Sequence, residues 1–176
     1  MALPEPGIRE RFVLHWGEMA ARWGMNRSVA QIQALLYLSA RPLNAEEIAA
    51  ELQVARSNVS TSLRELQNWD LVKVVHLMGD RRDHFETLQD PWELLRVVVR
   101  ERKERELDPT LAFMRGCVES PALAKEDPAV QKRLRETLSL VEAVSAGAEQ
   151  MLSMENSVLR RLVKLGAKVQ SLLKAA

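Results

Sequence analysis

Large apolar side chains recur at steps of three or four residues near the start of the chain. Between Glu5 and Trp23 they are Ile8, Phe12, Trp16, Met19 and Trp23. This spacing is the period of one helix face and predicts an amphipathic first helix. Gly24 can end that helix, and Ser28 with Gln31 has the spacing of a capping box that opens a second one.

The same cap spacing returns at Asn44 and Glu47, which predicts a short third helix. Ser57 is placed to cap a fourth helix. The inner face of that fourth helix consists of Val59, Leu63 and Leu66. Two short helices in direct succession are typical of a helix-turn-helix.

The period of the pattern changes after this pair of helices. Residues 71–78 are rich in β-branched side chains, and residues 83–88 can return as a second strand. Gly79 and Asp80 give the turn signal between them. A β-hairpin that directly follows a helix-turn-helix is a wing, so the order of elements predicts a winged helix.

The remainder of the chain has a helical pattern without further strand signals. Asp90, Pro91 and Glu93 together form a strong helix start, and the pattern stays helical to about Gly116. A connection with two prolines follows at residues 120–128. Two more helices are marked by Leu134, Leu138, Val141, Leu159, Leu162, Val169 and Leu173.

The predicted fold is mostly α with a small β-hairpin, a winged helix-turn-helix with N- and C-terminal dimerisation helices. We divide it into a first helix at residues 1–26, a DNA-binding domain at 27–90 and a helical dimerisation and effector region at 91–176. The amphipathic helices exceed what one small head can cover, which predicts a homodimer.

Composition narrows the function without deciding it. A hydrophobic content of 47% is enough for a core, and a net charge of +1 does not by itself indicate nucleic-acid binding. The single Cys117 cannot form an internal disulfide, and the sequence has neither a signal-peptide pattern nor a membrane-spanning run. We therefore expect a cytoplasmic protein that does not enter the membrane.

No pattern in the chain indicates an enzyme, a cofactor or a metal. There is no glycine-rich phosphate loop, no nucleophile motif with a nearby histidine and no paired-acid signature. His15, His76 and His84 are scattered, and beyond the weak pair His15 and Glu18 they lack partners at metal-ligand spacing. Cys117 would sense oxidants only with a stabilised thiolate, and inert packing is the favoured interpretation.

The candidate DNA-binding residues lie on the fourth helix and the hairpin tip. With its apolar face buried, that helix directs small polar groups and Arg64 outward, and Arg64 is long enough to reach guanine O6 and N7. The candidates are Arg56, Ser57, Asn58, Ser60, Thr61 and Arg64 on the helix and Arg81 and Arg82 on the wing. Asp80 and Asp83 dilute the charge of the wing arginines.

Two alternatives stay open at this point. The polar face of the fourth helix would also suit an ordinary solvated surface, and Glu65 on its shoulder favours that interpretation slightly. A winged helix can also serve as a protein-protein interaction module in a transcription or repair assembly. That role would need neither the polar face nor the arginine tip.

The run AEEIAAELQVARSNVSTSLRELQNWDLVKVVHLMGDRRDHFE resembles the winged helix of MarR-type regulators. The tip GDRRDHFE with the following DPWELLRVVVRERKERELDP resembles the GbsR branch of that family. The resemblance covers roughly residues 5–115 and implies a homodimeric regulator of transcription that binds double-stranded DNA. Some relatives respond to choline-like compounds, which implies a candidate small-molecule effector here.

Three tryptophans are candidates for contact with such an effector. Trp16, Trp23 and Trp92 could surround a cationic ligand through cation–π contacts. Packing in the core or at an interface is the favoured interpretation, because Trp16 and Trp23 lie on the apolar stripe of the first helix and Trp92 lies at a helix start.

Overall fold

The computed structural model describes residues 7–175, and side chains from residue 7 to residue 165. It consists of two compact units, one that ends at Leu94 and one that begins at Leu95. The helices and strands of the first unit are α1 (Ile8–Arg22), α2 (Arg27–Tyr37), β1 (Leu43–Asn44), α3 (Ala45–Leu52), α4 (Arg56–Asn68), β2 (Val72–Val75) and β3 (His84–Thr87). The helix α5 (Pro91–Arg102) begins at the end of this unit.

The first helix ends as predicted, but the second begins with a different cap. Gly24 follows α1 in the left-handed conformation, with φ of 77°. The cap of α2 is Asn26, whose side-chain oxygen accepts hydrogen bonds from the backbone N–H groups of Ser28 and Val29. The prediction of Ser28 as the cap is wrong because Asn26 already satisfies the free N–H groups of the first turn.

The cap of α3 is the predicted one, whereas that of α4 is not. Asn44 and Glu47 form the predicted capping box, with N–H to oxygen distances of 3.0 Å and 2.9 Å. The helix α4 already begins at Arg56, after Ala55, and has no side-chain cap. Ser57 therefore lies inside the first turn, and its prediction as a cap is wrong.

The sheet has three antiparallel strands in the order β1-β3-β2. The hairpin of β2 and β3 was predicted. The third strand, β1, was not predicted, because a strand of two residues is too short to show the alternation of buried and exposed side chains. In the ladder Leu43 lies opposite Phe85 and Asn44 lies opposite His84. The wing thus pairs with the two residues that lie just before α3.

The core of the first unit lies between α2, α3, α4 and the sheet. Its most deeply buried apolar side chains are Val29, Ile32, Leu35, Leu36, Ile48, Val59 and Leu66. The helix α1 joins the unit by packing on α2. Gly17 permits this approach, because a Cβ atom there would lie 2.5 Å from Cγ of Gln31.

The second unit is helical. It contains most of α5, a π-helical segment at Lys103–Leu107, α6 (Asp108–Glu119), a 3₁₀ turn at Pro121–Lys125, α7 (Pro128–Ser153) and α8 (Asn156–Ala175). The predicted helix to about Gly116 is therefore interrupted by the π segment and runs three residues further. The expected contributions of the Val169 and Leu173 side chains lie outside the described residues.

The π segment holds a largely buried lysine. Nζ of Lys103 lies 2.7 Å from Oδ1 of Asp108 and 3.1 Å from Oε1 of Glu149 on α7. These two carboxylates raise the pKa of the Lys103 ammonium, because they stabilise its charged form.

None of the helices in the described part of the chain combines the length and the apolar character of a membrane-spanning helix.

Candidate nucleic-acid interface

The helix α4 presents one buried face and one exposed polar face. Val59, Leu63 and Leu66 are at most 2% exposed and hold the helix against the core. Every candidate residue on the opposite face is exposed, namely Arg56, Ser57, Asn58, Ser60, Thr61 and Arg64. The 100° step of the helix makes this separation a direct consequence of the sequence.

Several of these polar groups already bind other groups of the protein. Nδ2 of Asn58 donates to Oγ of Ser28 at 3.1 Å, and Oδ1 of Asn58 accepts from Oγ of Ser62 at 3.2 Å. Oγ1 of Thr61 donates to the backbone oxygen of Ser57 at 3.1 Å. Asn58 therefore fastens the start of α4 to the start of α2, a role that the sequence did not indicate.

The two arginines of α4 have different environments. Nη2 of Arg56 lies 2.8 Å from Oε1 of Glu46 on α3. Among the side chains that the structure describes, Arg64 has no ion-pair partner. Its guanidinium group is thus available to a ligand on the exposed face without breaking a contact.

The wing turn places Asp80, Arg82 and His84 together. Oδ1 of Asp80 accepts from the backbone N–H of Arg82 at 3.0 Å and from Nε of Arg82 at 2.9 Å, and Oδ2 accepts from Nη2 of Arg82. Gly79 has a φ of 84° and allows the tight turn. Arg81 is exposed and, within the part of the chain with described side chains, has no ion-pair partner.

These contacts keep the wing ion pair charged. The guanidinium of Arg82 is the main reason that the pKa of Asp80 lies far below its usual range, and Asp80 in turn raises the pKa of Arg82. A lowered carboxyl pKa stabilises the folded state above the ordinary pKa of an aspartate, and this stabilisation is lost only in strongly acidic solution. The wing pair is therefore ionised throughout the physiological range.

Asp80 was predicted only to dilute the charge of the wing arginines, and no role in the wing was predicted for His84. The structure shows that Asp80 organises the turn and that His84 is buried beside it. Asp80 accepts a hydrogen bond from the backbone N–H of Arg82, and this two-residue spacing is typical of an aspartate that organises a turn. That spacing was the available signal.

The three candidate effector tryptophans have different environments. Trp16 stacks on Phe12, with ring centroids 5.4 Å apart. Trp23 is the C-cap residue of α1 and is 57% exposed, so it does not pack in the core of the single chain, and its packing at an interface stays a prediction. Trp92 is half-buried in the first turn of α5.

The remaining candidates for chemistry are metal-ligating side chains and the Cys117 thiol. Within those residues, no group of three or more histidine, cysteine or acidic side chains could hold a metal ion. Cys117 is half-buried on α6, beside an open groove of about 670 Å³ that also contains Phe113 and Leu134.

Comparisons with known proteins agree with this geometry. Residues 17–83 match the MarR family. No curated protein matches the chain significantly. A crystal structure of a transcriptional regulator superposes with a TM-score of 0.62 at 20% identity, covering 83% of this chain and 96% of the other.

Two further solved structures are more distant. A mutant of S. aureus MepR bound to an oligodeoxyribonucleotide has a TM-score of 0.40 and 16% identity, covering 78% of this chain and 91% of that one. A transcriptional regulator from Thermotoga maritima has a TM-score of 0.39 and 16% identity, covering 81% and 90%. The first likeness supports the fold, whereas these two are too loose to support more.

The assignment to the GbsR branch is not confirmed by these comparisons and stays a prediction. The match of residues 17–83 to the MarR family and the winged helix-turn-helix fold support a DNA-binding transcriptional regulator of MarR type.

Proposed function

We propose that this regulator recognises a specific operator sequence as a homodimer. The observation that supports sequence recognition is the exposed face of α4, where Arg64 projects without an ion-pair partner among the described side chains. A helix with small neighbours such as Ser57 and Ser60 can approach the floor of a major groove, and an arginine there can bind a guanine edge. Arg81 at the wing tip would meet the adjacent backbone or minor groove.

The direct test is a selection of bound fragments from the source genome. Sequence recognition predicts that repeated rounds at moderate salt enrich one motif with two-fold symmetry. Enrichment that depends only on fragment length would mean that the protein binds DNA without recognising an operator sequence. Absence of binding even at low salt would favour the protein-contact role of the winged helix.

The proposed dimer is supported by exposed apolar side chains on the helices of the second unit. The most exposed are Phe113, Leu140, Val144, Val163 and Leu165, between 52% and 69%. A set of this kind on the helices of one unit is unusual for a surface that faces water alone. We propose that α7 contributes to the interface through Leu140 and Val144, and that the first helix contributes as well.

Light scattering should give twice the 19.9 kDa mass of one chain at micromolar concentration. Leu140→Glu with Val144→Glu should lower this mass toward one chain, because two carboxylates would have to lose water in the interface. Ser139→Glu adds a carboxylate on the same helix and should leave the dimer intact. A single-chain mass for the unmodified protein would refute the dimer. It would also refute the operator that the dimer predicts, in which two half-sites lie about 34 Å apart.

We also propose that a small cationic or aromatic effector regulates DNA binding. Support comes from the exposed ring of Trp23 and from the half-buried rings of Trp16 and Trp92. Calorimetry should detect binding of choline, betaine or a related quaternary amine, and this binding should weaken in Trp23→Ala. No heat of binding up to millimolar concentration would exclude this ligand class.

Thermodynamic linkage requires that a ligand that weakens DNA binding is itself bound less tightly by the protein–DNA complex than by the free protein.

A further inference from the structure

His84 is the first residue of β3 and is only 3% exposed. Nδ1 of its imidazole lies 3.0 Å from the backbone oxygen of Arg82. Nε2 lies 3.6 Å from Oδ2 of Asp80, the oxygen that also binds Nη2 of Arg82. One ring therefore contacts both residues that shape the wing turn.

Both neighbours of the ring can only accept hydrogen bonds. A neutral imidazole carries one N–H and can satisfy either the carbonyl of Arg82 or the carboxylate of Asp80, while its other nitrogen turns a lone pair toward an oxygen. The imidazolium carries two N–H groups and satisfies both. The arrangement is thus complementary to the charged ring, whereas burial opposes the charge.

We infer that His84 is the positioning residue of the wing, and that its protonation strengthens DNA binding. The inference rests on the proposed DNA contacts of the wing. A second N–H on the ring would shorten the 3.6 Å approach to Asp80 and draw part of that carboxylate away from Arg82. The DNA-binding unit would gain one positive charge, and the Arg82 guanidinium would be more available to bind a phosphate.

The charged groups around His84 belong to two ion pairs, Asp80 with Arg82 and Glu47 with Arg41. On the wing they are Asp80 and Arg82. On α3 it is Glu47, whose pKa is lowered chiefly by its hydrogen bond with Arg41 and to a lesser extent by His84.

The other elements packed on β3 add no group that changes charge near neutral pH. In the ladder Asn44 and Val75 lie opposite His84. Nδ2 of Asn44 is buried without a hydrogen-bond partner in the described structure. The helix α2 carries Arg27 and Tyr37, and β2 carries Lys73, which pairs with Glu86 of β3. Neither α2 nor β1 nor β2 contains a histidine or a cysteine.

The experiment measures affinity for a mixed-sequence 30-base-pair duplex between pH 5.5 and 8 at constant ionic strength. We expect the unmodified protein to bind roughly threefold to tenfold more tightly at the acidic end, as one added charge per chain implies. His84→Gln keeps one N–H donor but cannot take up the proton, so its profile should be flat. His76→Gln is the matched control, because His76 is an exposed wing histidine 3.7 Å from Asp83.

A second measurement does not need DNA. Proton NMR of the unmodified protein should show the His84 imidazole titrating within this range, with the backbone resonances of Asp80 and Arg82 moving on the same curve. Titration without a change in DNA affinity would overturn the effect on binding. A His84 ring that does not titrate, or a His84→Gln profile as steep as that of the unmodified protein, would overturn the inference. A protein that binds no duplex at any pH would instead refute the proposed function.

Discussion

Arg64→Ala is expected to remove most of the preference for the operator over unrelated DNA. If each Arg64 binds a guanine edge, its loss should cost about 1–3 kcal/mol per half-site, because a bidentate contact to O6 and N7 has that value in discrimination. Binding to a scrambled duplex should weaken much less. The ratio of the two affinities, from titrations at one salt concentration, is the quantity to compare.

Two further variants separate the shape of the side chain from its charge. Arg64→Lys keeps the charge and loses the planar two-pronged donor, so it should lose specificity while its salt dependence changes little. Arg135→Ala removes the same charge from an exposed position on α7 and should leave the ratio unchanged. Equal effects of Arg64→Ala and Arg135→Ala would mean that Arg64 contributes only general charge.

The outward face of α4 could be predicted because it depends on the local helix period. Val59, Leu63 and Leu66 recur at steps that leave one polar side, and the core confirms that these three are buried. The confirmed capping box at Asn44 depends equally on local spacing. Features of this kind are determined by residues within one or two turns of each other.

The partners of the polar residues could not be predicted, because they come from distant parts of the chain. Asn58 binds Ser28, which is 30 residues away, and Arg56 pairs with Glu46 across the helix-turn-helix. These contacts exist only after α2, α3 and α4 have packed. The two-residue strand β1 is similar, because its pairing with β3 brings Asn44 opposite His84 and has no period of its own.

The contact between Asp80 and Arg82 is a third case, because it is local in sequence and could have been predicted from the spacing of the two residues. Asp80 lies two residues before Arg82 and binds it with both oxygens. The two wing arginines therefore have different roles in the structure. Arg82 stabilises the turn by binding Asp80, and Arg81 is the exposed cation at the tip.

Arg81→Ala and Arg82→Ala should consequently weaken DNA binding in different ways. If Arg81 neutralises a phosphate, its loss should lower affinity nearly uniformly across sequences and reduce the slope of log K against log salt by about 0.9 per contact, and twice that in a dimer. Arg82→Ala should weaken binding more, because it also leaves the Asp80 carboxylate unpaired at the tip, where it repels phosphates.

The double variant Asp80→Ala with Arg82→Ala decides whether Arg82 acts through the turn. Removing the carboxylate as well should restore part of the affinity lost in Arg82→Ala, so the two substitutions should be clearly non-additive. Thermal unfolding should change little in any of these variants, since an exposed ion pair contributes little to stability. Additive effects, with the full loss of salt slope in Arg82→Ala and none in Arg81→Ala, would make Arg82 the phosphate contact and Arg81 an uninvolved neighbour.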